Sequence, residues 1–272
     1  MSPPGAWDIR RLTTVGSTNT YALDLARRGA PAGLVVVADH QTAGRGRLGR
    51  RWEAPPGAGL LVSVLLRPVL PPAQRHLCTA AVALAAAAAC RAVAGPWPDP
   101  GWPAVKWPND LLLDGRKLAG VLAESDPDAP GGPVGSVAVV VGVGCNVDWP
   151  GPAGAGGTCL VEHTDRPVAR EQLLQALLAE LGPRVEALHD PDGRDGLAAE
   201  LRRRCGTLGQ VVRVELPDGV LDGTAVDLTA EGHLVVDTAA GRRVVAAGDV
   251  VHLRPTGGGP TGGPPGGGAA AK

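Results

Sequence analysis

Phenylalanine is absent from this 272-residue sequence, and tyrosine occurs only once. With six tryptophans as the other aromatics, the core has to be built mainly from valine, leucine and alanine. An excess of charge is lacking as well, since 26 basic and 27 acidic residues leave a formal net charge of -1. A basic field over the whole surface, as nucleic-acid-binding proteins often have, is therefore excluded, although a local basic patch is not.

Cysteines are few and irregularly spaced. There are five, at Cys78, Cys90, Cys145, Cys159 and Cys205. Their odd number and the lack of a Cys-x-x-Cys pair favour reduced thiols in a cytoplasmic protein, with neither a disulfide framework nor a zinc site. The N-terminal residues lack the apolar segment of a signal peptide. We expect the longest apolar run, the alanine-rich residues 79–89, to be too short and too weakly apolar to cross a bilayer.

Apolar periodicity and turn residues predict the order of the first elements. A helix is expected directly after Ser17-Thr18, and buried strands are expected from Leu34 and from Leu60. Between these strands, the segment from Gln41 to Gly59 is rich in glycine, arginine and proline and has no apolar period. We therefore expect it to be a long loop, which in a compact domain is usually functional or mobile.

The same signals predict the later elements. A buried, alanine-rich helix is expected from Pro72 to Ala94, a hairpin turn at Asp114-Gly115 and a strand from Val137. Amphipathic helices are expected at about Arg170–Leu188 and Gly193–Arg204. After residue 205, short alternating strands separated by glycine turns predict a small all-β barrel.

The loop from Gln41 to Gly59 contains residues that suit an anion. Its glycines allow backbone N–H groups to turn toward a ligand, and arginines offer forked donors for phosphate or carboxylate. Trp52 closes the arginine-rich part and is able to stack on a purine or on an arginine plane. A small-anion site, a solvated basic loop and an RNA contact of the Arg/Gly type all fit this loop taken alone.

A second cluster runs from Lys106 to Gly120. The turn Trp107-Pro108-Asn109-Asp110 places an amide beside a carboxylate, and Lys117 begins the strand after the hairpin turn. A lysine in such a place is usually solvent-exposed. It leads directly into Gly120, however, where a residue without a side chain allows another group to approach the backbone closely, and this favours a functional role.

Two further clusters have both structural and functional interpretations. Gly142, Gly144 and Asn146 lie at the end of a buried strand, where glycine is unfavourable unless something approaches closely or the strand has a bulge. Ser17-Thr18-Asn19 is typical of a helix cap. It would equally offer hydroxyl and amide groups to a small polar ligand at the helix N-terminus.

Four strings, in this order, resemble the biotin protein ligase family. They are GSTNT from Gly16, ADHQTAGRGRLGRRW from Ala38, VKWPNDLLLDGRKLAGVLAE from Val105 and GVGCNV from Gly142. The resemblance covers most of residues 16–147, and the alternating segment 207–254 also fits. It implies an α+β fold in which a mixed-sheet catalytic domain, residues 1–205, is followed by an SH3-like barrel, residues 206–255. Residues 256–272 are expected to form a disordered Gly/Pro tail.

The resemblance implies a two-step reaction with ATP and biotin as substrates and Mg²⁺ accompanying the nucleotide. The carboxylate of biotin attacks the α-phosphate of ATP, giving biotinyl-5'-AMP and pyrophosphate. A lysine of a biotin carboxyl carrier domain then attacks the acyl carbon and releases AMP. The first step brings two anions together, so fixed cations have to offset their repulsion.

The resemblance also assigns roles to residues. Those implied as catalytic are Lys117, Arg45, Arg47 and Asp110. Those implied to bind biotin are Ser17, Thr18, Asn19, Gln41, Gly44, Arg45, Gly46, Arg47, Lys117, Gly120, Gly142 and Gly144. Those implied to bind ATP are Arg47, Arg50, Trp52, Asn109, Asp110, Lys117 and Asn146. No metal ligand is assigned.

Partners and alternatives follow from the same comparison. The expected partner is the carrier domain of acetyl-CoA or related acyl-CoA carboxylases, in the cytoplasm and away from membranes. Only Met1 to Val15 precede the first string, too few for the helix-turn-helix domain with which some relatives bind DNA, so DNA binding is not expected. A lipoate or octanoate ligase or transferase of the same superfamily, and an RNA-binding protein using the Arg/Gly loop, are the alternatives.

The composition of the Gln41–Gly59 loop generates a test. Its glycines permit many backbone states and its arginines repel one another until an anion arrives, so ligand should order the loop. We expect protease nicking within the loop to slow when biotin and ATP are added. Equal rates of cleavage with and without these ligands would contradict this expectation.

Overall fold

Two β-sheets organise the chain, which the computed structural model describes over residues 7–95, 103–216, 219–246 and 248–252. The expected tail, residues 256–272, lies outside these ranges. The larger sheet contains β1 (Asp8–Val15), β2 (Leu34–Gln41), β3 (Gly59–Leu66), β4 (Ala104–Lys106), β5 (Asp110–Leu113), β6 (Arg116–Asp126) and β7 (Ala138–Asn146). The helices are α1 (Thr18–Arg27), α2 (His76–Ala94), α3 (Arg170–Ala187) and α4 (Pro191–Arg204). The smaller sheet contains β8 (Val211–Leu216), β9 (Gly219–Leu228), β10 (Leu234–Thr238), β11 (Gly241–Val245) and β12 (Asp249–His252).

The larger sheet is mixed, with the strand order β1-β2-β3-β7-β6-β5-β4. Only the β1–β2 pair is parallel, and all the other neighbours are antiparallel. This arrangement confirms the predicted α+β fold with a mixed sheet. Strand β1 was not predicted, because it is an edge strand with mostly exposed or half-exposed side chains and therefore has no strong apolar signal.

Helices α2 and α3 cover one face of the larger sheet and form the main core with it. Helix α2 contacts β6, β7 and α3, and α3 contacts β3, so the alanines of α2 share one core with valines of these strands and with Leu173, Leu177 and Leu181 of α3. This confirms that valine, leucine and alanine build the core. The segment Pro72–Ala94 is long and apolar enough, by composition alone, to cross a membrane, which corrects the expectation drawn from its alanine-rich centre. Its helix is instead mostly buried inside the protein.

Helix α1 covers only part of the opposite face. Its apolar residues Ala22, Leu23 and Ala26 pack on Leu34 of β2 and Leu65 of β3. The N-terminus of α1, with the buried residues Thr18 and Asn19, approaches β6 and β7, where the face carries glycines rather than bulky side chains. This part of the sheet is consequently open to other groups.

The smaller sheet is antiparallel, with the order β11-β10-β9-β8-β12, and it is consistent with the predicted small barrel. Trp107, which follows β4, is 5% exposed and belongs to the core of this smaller sheet. Its indole N–H donates to the Gly232 carbonyl at 2.9 Å, and its backbone N–H donates to Thr207 Oγ1 at 3.0 Å. One of the few aromatic residues therefore joins the two sheets.

Two histidines at this junction generate a pH prediction. His76 packs against Gly232, and His252 Nε2 lies 3.0 Å from Thr207 Oγ1. Burial lowers the pKa of both side chains below the ordinary value of histidine. The unfolded chain therefore takes up these protons first, so stability present above about pH 6.5 should be lost as the pH falls toward the folded-state pKa values.

We expect the urea concentration at the unfolding midpoint to be lower at pH 5.5 than at pH 7.5. A His76→Gln/His252→Gln variant should show a smaller decrease. Each histidine should contribute about 1.4 kcal/mol for every unit by which its pKa is lowered. The control is His189→Gln, which changes an exposed histidine at the end of α3. An unchanged pH slope in the double variant would show that these two histidines are not the titrating groups.

Candidate functional site

Strand register builds the floor of the site. Gly144 of β7 lies opposite Leu61 of β3 on one side and Gly120 of β6 on the other, and Gly120 lies opposite Asp110. In the next row on the same face, Gly142 lies between Ser63 and Leu122. Directly opposed residues point to the same face of a sheet, so the three glycines form a trough on the face that α1 only partly covers.

Close approach explains these glycines. A Cβ atom at Gly144 would lie 2.4 Å from Trp52 Cε2, and one at Gly120 would lie 3.1 Å from Trp52 Cζ3. At Gly142, a Cβ atom would lie 2.2 Å from Asn19 Oδ1. The register of β7 is continuous with both neighbours, so the alternative interpretation as a bulge is wrong.

Buried polar side chains form a hydrogen-bonded network at one end of the trough. Gln41 Oε1 accepts from the backbone N–H of Thr18 at 2.7 Å and from its hydroxyl at 3.0 Å. Ser63 Oγ lies 2.7 Å from Thr18 Oγ1 and 2.6 Å from Asn19 Oδ1. Asn19 Nδ2 donates to the Leu122 carbonyl at 3.0 Å. These contacts bring together residues predicted for the site from two separate strings, Thr18 and Asn19 from the first and Gln41 from the second.

Ser17 occupies the N-cap position of α1, but its side chain makes no capping hydrogen bond. The prediction that the Ser17 side chain caps the helix is therefore wrong, although the residue stands at the N-cap position. The hydroxyl borders the cavity described below, which fits the alternative interpretation as a ligand-facing group.

The Gln41–Gly59 segment is more regular than predicted. β2 extends to Gln41, β3 begins at Gly59, and Arg45 and Arg51 form a bridge closed by a hydrogen bond of 3.0 Å from the Trp52 N–H to the Gly44 carbonyl. A 3₁₀ turn over Arg47–Gly49 contains Leu48 at φ 56° and Gly49 at φ 74°. The expectation of a loop without regular structure is therefore wrong for its central part.

Three arginines of the loop contact groups on other parts of the protein. Arg45 forms an ion pair with Glu124 of β6, and Arg50 forms one of 2.6 Å with Asp249 of β12. Arg47 Nη1 lies 3.4 Å from Asn109 Oδ1 and 3.4 Å from the Gly248 carbonyl. Burial lowers the pKa of Arg47, and the nearby charge of Asp249 opposes that shift.

Lys117 lies at the other end of the trough from the polar network. Its Nζ is 2.8 Å from Asp110 Oδ1 and 5.6 Å from the centroid of the Trp52 ring. The backbone N–H of Thr158 donates to the Lys117 carbonyl at 2.9 Å, which fixes the start of β6. The lysine is thus held in place by an ion pair and a cation–π contact, although its side chain is 38% exposed.

These residues line a cavity of about 110 Å³. All of the residues predicted for the site border it except Gly44 and Asn146. Gly44 instead lies under Trp52, where a Cβ atom would be 2.3 Å from the Trp52 carbonyl oxygen. Asn146 donates its amide to the carbonyls of Thr158, Pro150 and Lys117, at 2.9, 3.3 and 3.5 Å, and so braces the segment beside Lys117.

A larger cleft of about 870 Å³ adjoins this cavity. Arg45, Gly46, Arg47 and Asn109 border both spaces, so the arginine loop is the wall between them. The cleft continues past α2 to Gly232 and His233, in the turn between β9 and β10 of the smaller sheet. The small cavity therefore has a broad approach on the side of the loop.

Three contributors were missed in the sequence. Ser63 is fully buried in the apolar strand β3. Glu124 is the last residue of the string that begins at Val105, and it pairs with Arg45. Asp249 is almost 200 residues from its partner Arg50. The serine within GLLVSVLL and the acid closing RKLAGVLAE were visible signals. Asp249 gave no signal, because only the fold brings it to the loop.

Comparisons with known proteins agree with this architecture. Residues 12–146 match the model of the Biotin/lipoate A/B protein ligase family, and residues 207–253 match that of the Biotin protein ligase C terminal domain. A biotin–(acetyl-CoA-carboxylase) ligase of Mycobacterium tuberculosis is 40% identical over 88% of this chain and 86% of its own length. One from Paracoccus denitrificans is 35% identical over 88% of this chain and 98% of its own length.

A solved structure shows the same likeness in three dimensions. The biotin protein ligase of Aquifex aeolicus, in complex with biotin and ATP, matches with a TM-score of 0.73 and 26% identity, over 91% of this chain and 99% of that one. The chain therefore belongs to the biotin/lipoate A/B protein ligase family. Within that family, the match of its C-terminal residues to the Biotin protein ligase C terminal domain and the relatives named above place it with the biotin protein ligases.

The trough generates a stability prediction. Gly142→Ala would displace the Asn19 side chain from its hydrogen-bonded network, and we expect a loss of about 1–3 kcal/mol in the free energy of unfolding. Gly196→Ala is the matched control, since nothing lies within 4 Å of a Cβ there, and alanine in helix α4 should stabilise by up to about 1 kcal/mol. Urea unfolding of both variants measures the difference, and equal stabilities would contradict the close approach of Asn19.

Proposed function

We propose that this chain is an ATP-dependent ligase that forms biotinyl-5'-AMP and transfers biotin to a lysine of a biotin carboxyl carrier domain. The observation that carries the proposal is the cavity itself. A neutral hydrogen-bonding end at Thr18, Asn19 and Gln41 and a cationic end at Lys117 are joined by a floor of glycines. Biotin has the matching polarity, with a neutral ureido ring at one end and a carboxylate at the other.

The ureido end is assigned to the polar network. A ureido group offers N–H donors and a carbonyl acceptor, which suit the hydroxyl and amide groups of Ser17, Thr18, Asn19 and Gln41. Because Ser63 and Leu122 hold these side chains in place, they need little reorganisation when a ligand arrives. Gly120 and Gly144 leave the space in which Trp52 lies, and we assign the ligand to the space beside that ring.

The carboxylate end is assigned to the cations. Attack of the biotin carboxylate on the α-phosphate forms a C–O–P bridge and expels pyrophosphate, with negative charge on both reacting groups. Lys117, Arg45 and Arg47 all border the cavity, and they offset the repulsion by donating hydrogen bonds to carboxylate and phosphate oxygens. In the chain alone, Asp110 holds Lys117 in position at 2.8 Å.

The nucleotide is assigned to the side of Trp52 and Asn109. The indole N–H of Trp52 is buried and has no hydrogen-bond partner within the described residues, so an acceptor on a bound ligand would satisfy it. Arg50 also borders the cavity, and Asn146 braces the segment beside Lys117. We assign the adenine and phosphates of ATP to this region.

Mg²⁺ accompanies the nucleotide in this proposal. Mg²⁺ usually keeps several waters and binds through one or two carboxylates together with phosphates, so a complete protein cage is not needed. Asp110 is a carboxylate on the cavity wall and fits that requirement. Its other role, the ion pair with Lys117, keeps it beside the expected position of the α-phosphate.

Transfer completes the reaction. The unprotonated amine of the acceptor lysine attacks the acyl carbon of the adenylate, the bond from that carbon to the phosphate oxygen breaks, and AMP leaves. The larger cleft on the loop side supplies the approach for a carrier domain. We propose acyl-CoA carboxylase carriers as the partners and the cytoplasm as the location.

The alternatives are less well supported. The RNA-binding reading needs free arginines, whereas Arg45 and Arg50 pair with carboxylates and Arg47 contacts Asn109. A lipoate ligase would share the family fold, but the relatives from Mycobacterium tuberculosis and Paracoccus denitrificans, each matched over 88% of this chain, are biotin ligases. Mass spectrometry of a carrier domain incubated with the chain, ATP and either biotin or lipoate separates the two, and modification by lipoate alone would overturn the proposal.

Lys117 provides a kinetic prediction. Lys117→Ala removes a cation between carboxylate and phosphate, and we expect biotin-dependent ATP–pyrophosphate exchange to fall by about 10²–10³-fold, as for loss of one preorganised donor. Lys106→Ala is the matched control, because Lys106 does not border the small cavity. Near-normal exchange by Lys117→Ala, in a variant that melts like the parent chain, would remove this lysine from the mechanism.

A further inference from the structure

Glu124 connects two parts of the site that are far apart in sequence. Its Oε2 accepts from Asn19 Nδ2 at 2.9 Å, and its Oε1 forms the ion pair with Arg45 Nη2. Asn19 belongs to the polar network at the proposed ureido end, whereas Arg45 belongs to the loop at the proposed phosphate end. One carboxylate therefore contacts a residue from each end.

A negative charge beside this cavity needs an explanation. The proposed ligands are anions, so a carboxylate close to them opposes binding through Coulomb repulsion. Glu124 does not border the small cavity itself but faces the larger cleft behind Arg45. Arg45 borders both spaces whereas Glu124 borders only the larger one, which favours an effect of Glu124 through Arg45 over direct contact with a ligand in the small cavity.

The geometry of a guanidinium group gives that effect. Arginine carries five N–H donors in one rigid plane, so a carboxylate that holds one edge also sets the direction of the other edge. Arg45 donates to Glu124 through Nη2, and its side chain remains 47% exposed beside the cavity. Its remaining donors are consequently oriented but available to another anion.

The other oxygen of Glu124 acts on Asn19. The Asn19 amide donates to Glu124 and to the Leu122 carbonyl, and its Oδ1 lies 2.6 Å from Ser63 Oγ. Gly142 leaves the space that this side chain occupies. With both of its ends engaged, the amide has a single orientation, and Ser63 passes that constraint to Thr18.

We infer that Glu124 is a positioning residue, which orients Arg45 for the anionic end of the ligand and fixes Asn19 at the neutral end. The inference rests on the proposed function. A role in folding stability alone is not favoured, because the ion pair is partly exposed and such pairs contribute little to stability. Its effect should therefore appear in the kinetics and not in the melting temperature.

Glu124→Gln tests the inference. Glutamine retains an oxygen for the Asn19 amide but removes the charge that holds Arg45. We expect kcat/KM for biotin-dependent pyrophosphate exchange to fall about tenfold or more, at the lower end of what residues supporting a reactive group contribute. Biotinyl-5'-AMP should also dissociate faster, while the melting temperature stays close to that of the parent chain.

A double-variant cycle isolates the contact with Arg45. If Glu124 acts through Arg45, the Glu124→Gln/Arg45→Gln variant should be no slower than Arg45→Gln alone. Full additivity of the two losses would overturn the inference. Asp222→Asn is the control for loss of a carboxylate that pairs with an arginine, since Asp222 pairs with Arg213 in the smaller sheet and lies outside both cavities.

The parent chain separates this inference from the proposed function. Exchange activity in the parent chain together with parent-like kinetics in Glu124→Gln overturns the positioning role and leaves the proposed function standing. A parent chain without biotin-dependent exchange contradicts both. Slower exchange and faster loss of the adenylate in a variant that melts normally support both.

Discussion

The close approach of side chains to bare backbone on one face of the larger sheet is the constraint on which the site depends. Gly120, Gly142 and Gly144 leave room for Trp52 and Asn19 to lie against strands β6 and β7. Any side chain at these positions would fill the trough and push both groups away. The polar network at one end and the lysine at the other become parts of one cavity, in which Trp52 lies over Gly120 and Gly144.

Contacts of its arginines hold the Gln41–Gly59 loop against other parts of the molecule. Arg45 contacts β6, Arg50 contacts β12, and Arg47 lies between Asn109 and the carbonyl of Gly248. Each contact is weak by itself because it is partly exposed to water. Together they place one loop against both sheets, which keeps the arginines beside the cavity and still allows them to exchange partners with an anionic ligand.

The sequence predicts the buried strands and helices, but it does not predict an exposed edge strand or the partners of the loop arginines. Period and turn residues predict the strands from Leu34 and Leu60 and helix α2, because each buries a continuous apolar face. Strand β1 has one neighbour and little burial, so its pattern is weak. The partners of Arg45 and Arg50 were not predictable, since an ion pair between residues 79 or 199 positions apart has no local pattern.

Trp107 has a consequence that concerns how the molecule unfolds. Its ring lies in the core of the smaller sheet. Asn109 and Asp110, two and three residues further along the chain, belong to the wall of the cavity. The turn between them is too short to absorb a separation of the two sheets. Loss of the C-terminal sheet would therefore expose a tryptophan only two residues from the wall of the cavity, which couples the folding of the smaller sheet to the site.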